Sequence, residues 1–506
     1  MNAVLERAEP IRKIGRQALQ HPAPAARAGR FVVGILAGVV AVQFMFHMAL
    51  NEFLNGMSTG MLYGLIAIGI ILIYKTNRII NFAAAAVGAV PAIFALLLDV
   101  QRHINYLLLL PIALIGGVLF GGLVDVLIMR RFAKSPRLIT TVVTIGVAQG
   151  LAALGFFIPI WIGATAGKVS LVPTPWSDLV WKNGHGKPVL SGNQIAAILV
   201  TVAIAVGLAL FLRYTRIGIA LRASAENSDR ASLLGIPVKR VQTAAWMLAG
   251  GLASMAIYFQ SPLIGVPSNA TLGFDALLYA LAAAVVARME RIGVALAVGT
   301  FVGIIQFGVV SRTGSSSNVG AYMLVLILAA LLLQRKAQAR AMDAGTSSWD
   351  VVKNFRPIPA ELRSLPEIQT AKYVLYALAA AAVFLAPILV GDNDMPKLIP
   401  IPLYGMVGVS LVVLTGWAGQ ISLGQFGFLG VSAAVTGNIV YSHNGDFFVA
   451  IFGGILAGVV AAIFIGLPAV RIQGLYLAVT TLAFGYTMQY YILNTHYWIG
   501  RHLLPS

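Results

Sequence analysis

Runs of about twenty apolar residues, separated by short charged or Pro/Gly-containing breaks, recur along almost the whole chain. A hydrocarbon core of roughly 30 Å needs about twenty residues of helix to cross it. Fifteen stretches meet that requirement. Ten fall at 31 to 50, 53 to 74, 80 to 98, 104 to 129, 138 to 162, 194 to 212, 242 to 260, 272 to 287, 292 to 310 and 319 to 334; five more fall at 372 to 390, 398 to 416, 421 to 442, 447 to 470 and 475 to 493. The pattern predicts an all-α, polytopic integral membrane protein with about fifteen transmembrane helices. The first run follows a basic tail, residues 1–30, and has no small-residue cleavage site, so it is expected to be a retained anchor and not a signal peptide.

Composition agrees with this pattern. Of 506 residues 59% are apolar and only 10% charged, too polar-poor for a series of soluble domains. The net charge of +18 would raise nucleic acid as a partner in a soluble chain, but too few exposed residues remain here to build such a face. Alternating sides at every span gives the charge an address. Twenty-eight Lys/Arg gather on one side and seven on the other, with Asp125 and Asp275 inside spans. Positive charge holds loops in the cytoplasm, so the expectation is an inner (plasma) membrane protein with a cytoplasmic N-terminus. The absence of cysteine excludes disulfides and thiolate chemistry, and the seven His show no metal-ligand spacing, so neither catalytic residues nor a metal site are expected.

The polar segment 335–371 reads as a cytoplasmic linker between two membrane units, 31–334 and 372–506. The units resemble each other: Leu62-Tyr63-Gly64 through Ile80-Asn81-Phe82-Ala83 aligns without gaps on Leu403-Tyr404-Gly405 through Ile421-Ser422-Leu423-Gly424. Such duplication is frequent in transporters. Glycines four apart, as at Gly117 and Gly121 or Gly454 and Gly458, are expected to pack helices closely.

The loop TRIGIALRASAENSDRASLLGIPVKR, residues 215–240, pairs helical segments with a break at Gly235 and Pro237. At helical spacing Ala223, Asn227, Ala231 and Leu234 would share one side, with Arg222, Glu226 and Arg230 forming a charged row. A small, partly apolar face beside a charged one suits docking into a cleft on another protein; a solvated loop anchored at the interface is the plainer alternative.

This loop and the span after it, Thr215 to Ala253, resemble the branched-chain amino acid permeases of ABC uptake systems, of LivH and LivM type. The residues 54–83 and 135–146 are similar to the LivH-type subunit; GQISLGQFGFLGVSAA (419–434) and GLPAVRIQGLYLAVTTLAFG (466–485) are similar to the LivM-type subunit. The resemblance implies a LivH-type unit fused to a truncated LivM-type unit. It implies uptake of branched-chain or related amino acids by alternating access, with two ABC ATPase subunits, an extracytoplasmic substrate-binding protein, membrane lipid and another permease chain completing the second unit as partners. ATP and magnesium would sit only on the ATPase subunits, with no cofactor in this chain. The phosphate-loop lookalike at 163–169 has too short a glycine spacing and Val169 where Ser or Thr should bind the metal. Coupling to the ATPase would fall on Glu226, Asn227, Ala231, Leu234, Gly235 and Ile236.

Candidate residues for the substrate path are Asp275, Ser422, Gln425, Thr480 and Thr481, because polar groups within spans are costly; interhelical hydrogen bonding is the commoner use of the last four. Asp125, one turn before Arg130, reads as a helix-end group. The sequence departs from the LivH pattern at Asn81-Phe82-Ala83-Ala84-Ala85-Ala86 and at Arg288, Glu290 and Arg291, which leaves the substrate open. A permease for urea or short amides, and a non-transporting remnant, are the alternatives. A membrane-embedded transferase would need convergent carboxylates or His that the chain does not supply.

Overall fold

A computed structural model describes residues 43, 46–133, 135, 137–163, 172–182, 184, 188–265, 273–313, 365–389, 396, 398–417, 422–469 and 475–494. The spans expected at 31 to 50 and 319 to 334, the phosphate-loop lookalike and the linker lie largely or wholly outside them. The helices are α1 Leu50–Asn77, α2 Ala84–Arg102, α3 Tyr106–Leu127, α4 Arg137–Ile162, α5 Gly192–Tyr214, α6 Arg216–Glu226, α7 Ser228–Leu233, α8 Val238–Ile264, α9 Phe274–Val286 and α10 Ile292–Thr313, then α11 Pro366–Leu389, α12 Pro400–Val412, α13 Gln425–His443, α14 Phe447–Ala469 and α15 Leu475–Thr487. Among the described residues one hairpin interrupts them, β1 (Val180–Lys182) paired antiparallel with β2 (Pro188–Ser191). Among the described residues eight helices are long and apolar enough to cross a membrane: α1 to α5, α8, α10 and α14. The expected spans at 272 to 287, 398 to 416 and 475 to 493 are shorter apolar helices; α12 and α15 run on into wider turns at Val413–Trp417 and Met488–Ile492.

α1 is the centre of the bundle. It is apolar on every face, the signature of a helix with no solvent side, and Leu62, Leu65, Ile66, Ile70 and Ile73 are all buried. α5 is equally apolar, yet Leu199, Val206 and Leu210 are exposed, which marks an outer face meant for lipid. Glycine decides who touches α1. Gly56, Gly60 and Gly64 lie against the backbone of α10 at Gly299, Gly303 and Leu296; a Cβ on Gly60 would stand 2.6 Å from the Gly299 carbonyl oxygen. α3 meets α8 in the same way, Gly117 and Gly121 facing Trp246, Gly250 and Ser254, and the Ser254 hydroxyl donates to the Ala113 carbonyl at 2.7 Å. In lipid, where apolar burial gives no drive, such close backbone approach supplies the dispersion that holds helices together.

Among the described residues of the first unit, loops gather at two ends. At one end Arg78 donates to the Ala225 carbonyl (3.0 Å) and Arg130 to the Thr243 hydroxyl (2.7 Å). That brings the breaks at 75–81, 130–137 and 213–240 together and makes this the basic end. At the other, Gln194 donates to Asn51 (3.1 Å) and Asn55 (2.6 Å), and the ring of Trp176 meets Tyr106 edge-on at 5.7 Å.

The internal similarity extends to helix boundaries. α2 and α13 begin at 84 and 425 and end at 102 and 443, and α3 and α14 begin at 106 and 447, each pair offset by 341 positions. The residue closing α2, His103, and the one closing α13, Asn444, are both left-handed (φ 52° and 47°). The breaks before α2 and α13 are built alike: Asn81 Oδ1 accepts from Ala83 N–H at 2.9 Å and Ser422 Oγ from Gly424 N–H at 3.3 Å. A threonine from a later helix takes the next amide in each, Thr144 from Phe82 (3.1 Å) and Thr481 from Leu423 (2.9 Å). Two adjacent orphan N–H groups at a buried helix start are thereby satisfied without water.

Candidate functional site

Two regions concentrate the residues singled out by the sequence. The first is the loop 215–240. Thr215 caps α6 by accepting from Gly218 N–H at 3.0 Å. Gly218, Leu221 and Ser224 turn inward, with Gly218 set against the backbone of Leu212. The single helical face expected to carry Ala223, Asn227, Ala231 and Leu234 is not continuous. Asn227 takes an extended conformation (φ −154°) and starts a new helix, its side chain accepting from Asp229 N–H (3.1 Å) and Arg230 N–H (2.9 Å). Asn is a strong N-cap because its short amide competes for backbone donors, and here it turns one helix into two.

Ala231 is buried and seats α7, while Glu226, Asn227, Leu234 and Gly235 form the exposed outer edge and Ile236 is half-buried. Gly235 adopts φ 81°, open to a glycine without strain. Leu233 is 86% exposed and Leu234 81%. Sequence reasoning missed Leu233; the signal was its position beside Leu234, two adjacent leucines that one short helix cannot turn inward together.

The second region is where the two halves of the chain meet. Asp275, in the first turn of α9, accepts a hydrogen bond from the Tyr486 hydroxyl of α15 at 3.0 Å. Tyr63 of α1 lies within electrostatic reach of Asp275, its ring 4.9 Å from that of Tyr279, its oxygen accepting from Gln260 at 3.3 Å. Gln306 of α10 stands beside Tyr63 with its buried carbonyl oxygen unpartnered. Five helices thus bring a carboxylate, hydroxyls and two amides to one place, with Tyr63 buried and Asp275 exposed at its edge. The hydrophobic core is continuous across the junction, including Leu477, Val479 and Phe484 of α15 with Leu278 and Leu281 of α9.

The remaining path candidates lie at and around the start of α13. Ser422 and Thr481 satisfy the amides at the start of α13, and Thr481 also donates to Ala478 at 3.0 Å. Thr480 is buried on the same helix, and Gln425 is the half-buried first residue of α13. Tyr486, Tyr63, Gln260 and Gln306 were missed because an uncharged polar group in an apolar helix looks the same in sequence whether it faces a path or a neighbour. Asp125 is closed off at its helix end, 3.4 Å from Arg130 and accepting from Thr243 at 2.6 Å. The alanines of the divergent 81–86 segment are buried, and Ala85 lies against Gly273 at the start of α9; small side chains let α9 enter there. Among the described residues no three His, Asp or Glu side chains group as a metal site.

The family described as branched-chain amino acid transport system, permease component, matches twice, over residues 52–334 and 398–502. The chain is 28% identical to the high-affinity branched-chain amino acid transport system permease protein LivH of Escherichia coli K12 over 276 residues, 52% of this chain and 86% of that protein. It is 28% identical to the permease protein BraD of Pseudomonas aeruginosa (55% of this chain, 92% of that one). Against the autoinducer 2 import permease LsrC of Salmonella paratyphi B it is 29% identical (55% and 70%). Two matches to one family, together covering more than half of the chain, make it a transport component and not an enzyme by kinship: the chain belongs to the family of permease components of branched-chain amino acid transport systems.

Proposed function

We propose that this chain carries branched-chain or related amino acids through the plasma membrane by alternating access, driven by two ABC ATPase subunits and supplied by an extracytoplasmic binding protein. In this reading the basic end faces the cytoplasm, and the chain joins a LivH-type unit to a LivM-type one. The cluster at Asp275 and Tyr486 forms the path between them. The named relatives support the solute class: LivH and BraD are permeases for branched-chain amino acids.

The observation that carries the coupling role is the edge Leu233–Leu234 at the basic end. Fully burying a leucine is worth about 1.5 to 3 kcal/mol, so two that a capped, tightly turned helix pair leaves in water are matched to a partner's apolar cleft. In this reading Glu226 and Asn227, at the joint of α6 and α7, pass a push from that partner to Arg78, whose hydrogen bond to the Ala225 carbonyl supports the route by tying α6 to the end of α1. Co-purification with the ATPase pair tests this. Leu233→Asp with Leu234→Asp abolishes the complex. Glu226→Ala or Gly235→Trp leaves an assembled complex whose ATP hydrolysis no longer responds to loaded binding protein. Wild-type assembly and stimulation in all these variants would remove the loop from the coupling role.

A further inference from the structure

A groove runs between α5 and α10 with α1 as its floor. Ile68 of α1, Ala209 and Leu212 of α5 and Leu296 of α10 line a cavity of about 360 Å³ whose rim carries Arg213 and Arg222. That is room for roughly a dozen water-sized groups at about 30 Å³ each. A second cavity of similar size adjoins it, sharing Leu212 and Arg222 and extending to Lys75 and Glu226. The walls are almost wholly apolar, so ordered water finds few partners there.

The cationic rim is built in. Arg222, on α6, donates to the Arg213 carbonyl at the end of α5 (3.3 Å), which fixes the two residues beside each other. The Arg213 guanidinium also stands 5.4 Å from the centre of the exposed Tyr214 ring, an amphipathic aromatic of the kind that favours the membrane interface. Among the described residues no carboxylate lines the first cavity. Glu226 lines only the adjoining one, and Glu290 acts on Lys75. Two guanidinium groups therefore share one rim that no carboxylate among the described residues lines, above a groove flanked by the lipid-facing side of α5.

We propose that this groove binds an anionic phospholipid of the leaflet at the basic end, its phosphate between Arg213 and Arg222 and an acyl chain along Ile68, Ala209 and Leu296. Basic pockets between membrane helices suit such headgroups, and guanidinium groups bind phosphate in a planar fork. A soluble anion would leave the apolar floor bare; a neutral lipid would leave the two charges unmatched. The site would make bundle stability, and the setting of α6 against α5, depend on lipid charge whatever solute is carried.

The test uses the full chain, delipidated in detergent and exchanged with equal amounts of phosphatidylglycerol and phosphatidylcholine, with retained lipid read by native mass spectrometry. Wild type retains phosphatidylglycerol at least fivefold over phosphatidylcholine. Arg213→Gln with Arg222→Gln brings the ratio near one, while Arg131→Gln with Lys239→Gln, equal in charge but outside the groove, keeps the preference. Ala209→Phe, at an exposed position, fills the groove and lowers retention of both lipids; it serves also if the double arginine variant fails to purify as a single species. Equal retention of the two lipids by wild type, an undiminished preference in the double arginine variant, or full retention by Ala209→Phe would overturn the proposal.

Discussion

Gly60→Ala adds one methyl group where α1 crosses α10. The new carbon would stand 2.6 Å from the Gly299 carbonyl oxygen and 2.7 Å from that of Thr300, both backbone atoms that no rotamer change can move. Relaxed carbon-to-oxygen contacts between helices are about 3.3 to 3.6 Å, so the helices must part by roughly 0.7 Å. A gap of that order forfeits about a quarter to a half of each neighbouring dispersion contact, and overpacking of a tight interior costs about 1 to 3 kcal/mol. Alanine returns up to about 1 kcal/mol through helix propensity. The expected net loss is about 1 to 2 kcal/mol. Gly207→Ala, on the outer face of α5 with nothing within 4 Å of the new atom, is the matched control and should be neutral or stabilising. Folded fraction against SDS mole fraction in mixed micelles reads both variants. A Gly60→Ala protein as resistant as wild type, or one that tracks Gly207→Ala, would refute the claim that backbone contact between α1 and α10 holds the bundle.

Two further outcomes follow from the geometry. A double-mutant cycle of Asp275→Asn and Tyr486→Phe, read by the same titration, should give a coupling energy of about 0.5 to 1.5 kcal/mol, the range of interhelical hydrogen bonds in membranes; additive effects would contradict the pairing across the two halves. In this cysteine-free chain Asp178→Cys, in the polar loop beside β1, should react with an impermeant thiol reagent on intact cells, and Ser228→Cys only after permeabilisation. The reverse pattern would invert the orientation.

Much of the fold was legible because a bilayer simplifies the code. Twenty apolar residues mark a span, and gathered Lys and Arg mark a side; the joined loops at Arg78, Ala225, Arg130 and Thr243 agree with that alternation. The internal similarity read at Leu62 to Ala83 reappears as matching helix limits and matching threonine caps. What stayed hidden was direction. α1 and α5 read alike, yet one is the core and the other an outer wall, because hydropathy cannot tell a helix neighbour from a lipid tail. Tyr63 and Tyr404 hold equivalent places in the aligned segments, yet the first is buried and the second 61% exposed. The loop 215–240 misled in a different way: helical periodicity was sound on each side of Asn227, but a cap residue reset the phase. At the junction of the halves only Asp275 announced itself, since charge in a span is rare enough to notice whereas Tyr486 and Gln306 are not.

The central claim is transport, and uptake measures it. The chain is reconstituted in vesicles containing the leaflet lipids, together with its ATPase pair and binding protein, and ATP is enclosed on the side of the basic loops. Radiolabelled leucine should accumulate, be competed by isoleucine and valine and not by urea, and stop when Glu226→Ala is introduced without loss of assembly. Accumulation of urea or a short amide in place of leucine, or no ATP-dependent uptake by a fully assembled complex, would contradict the account.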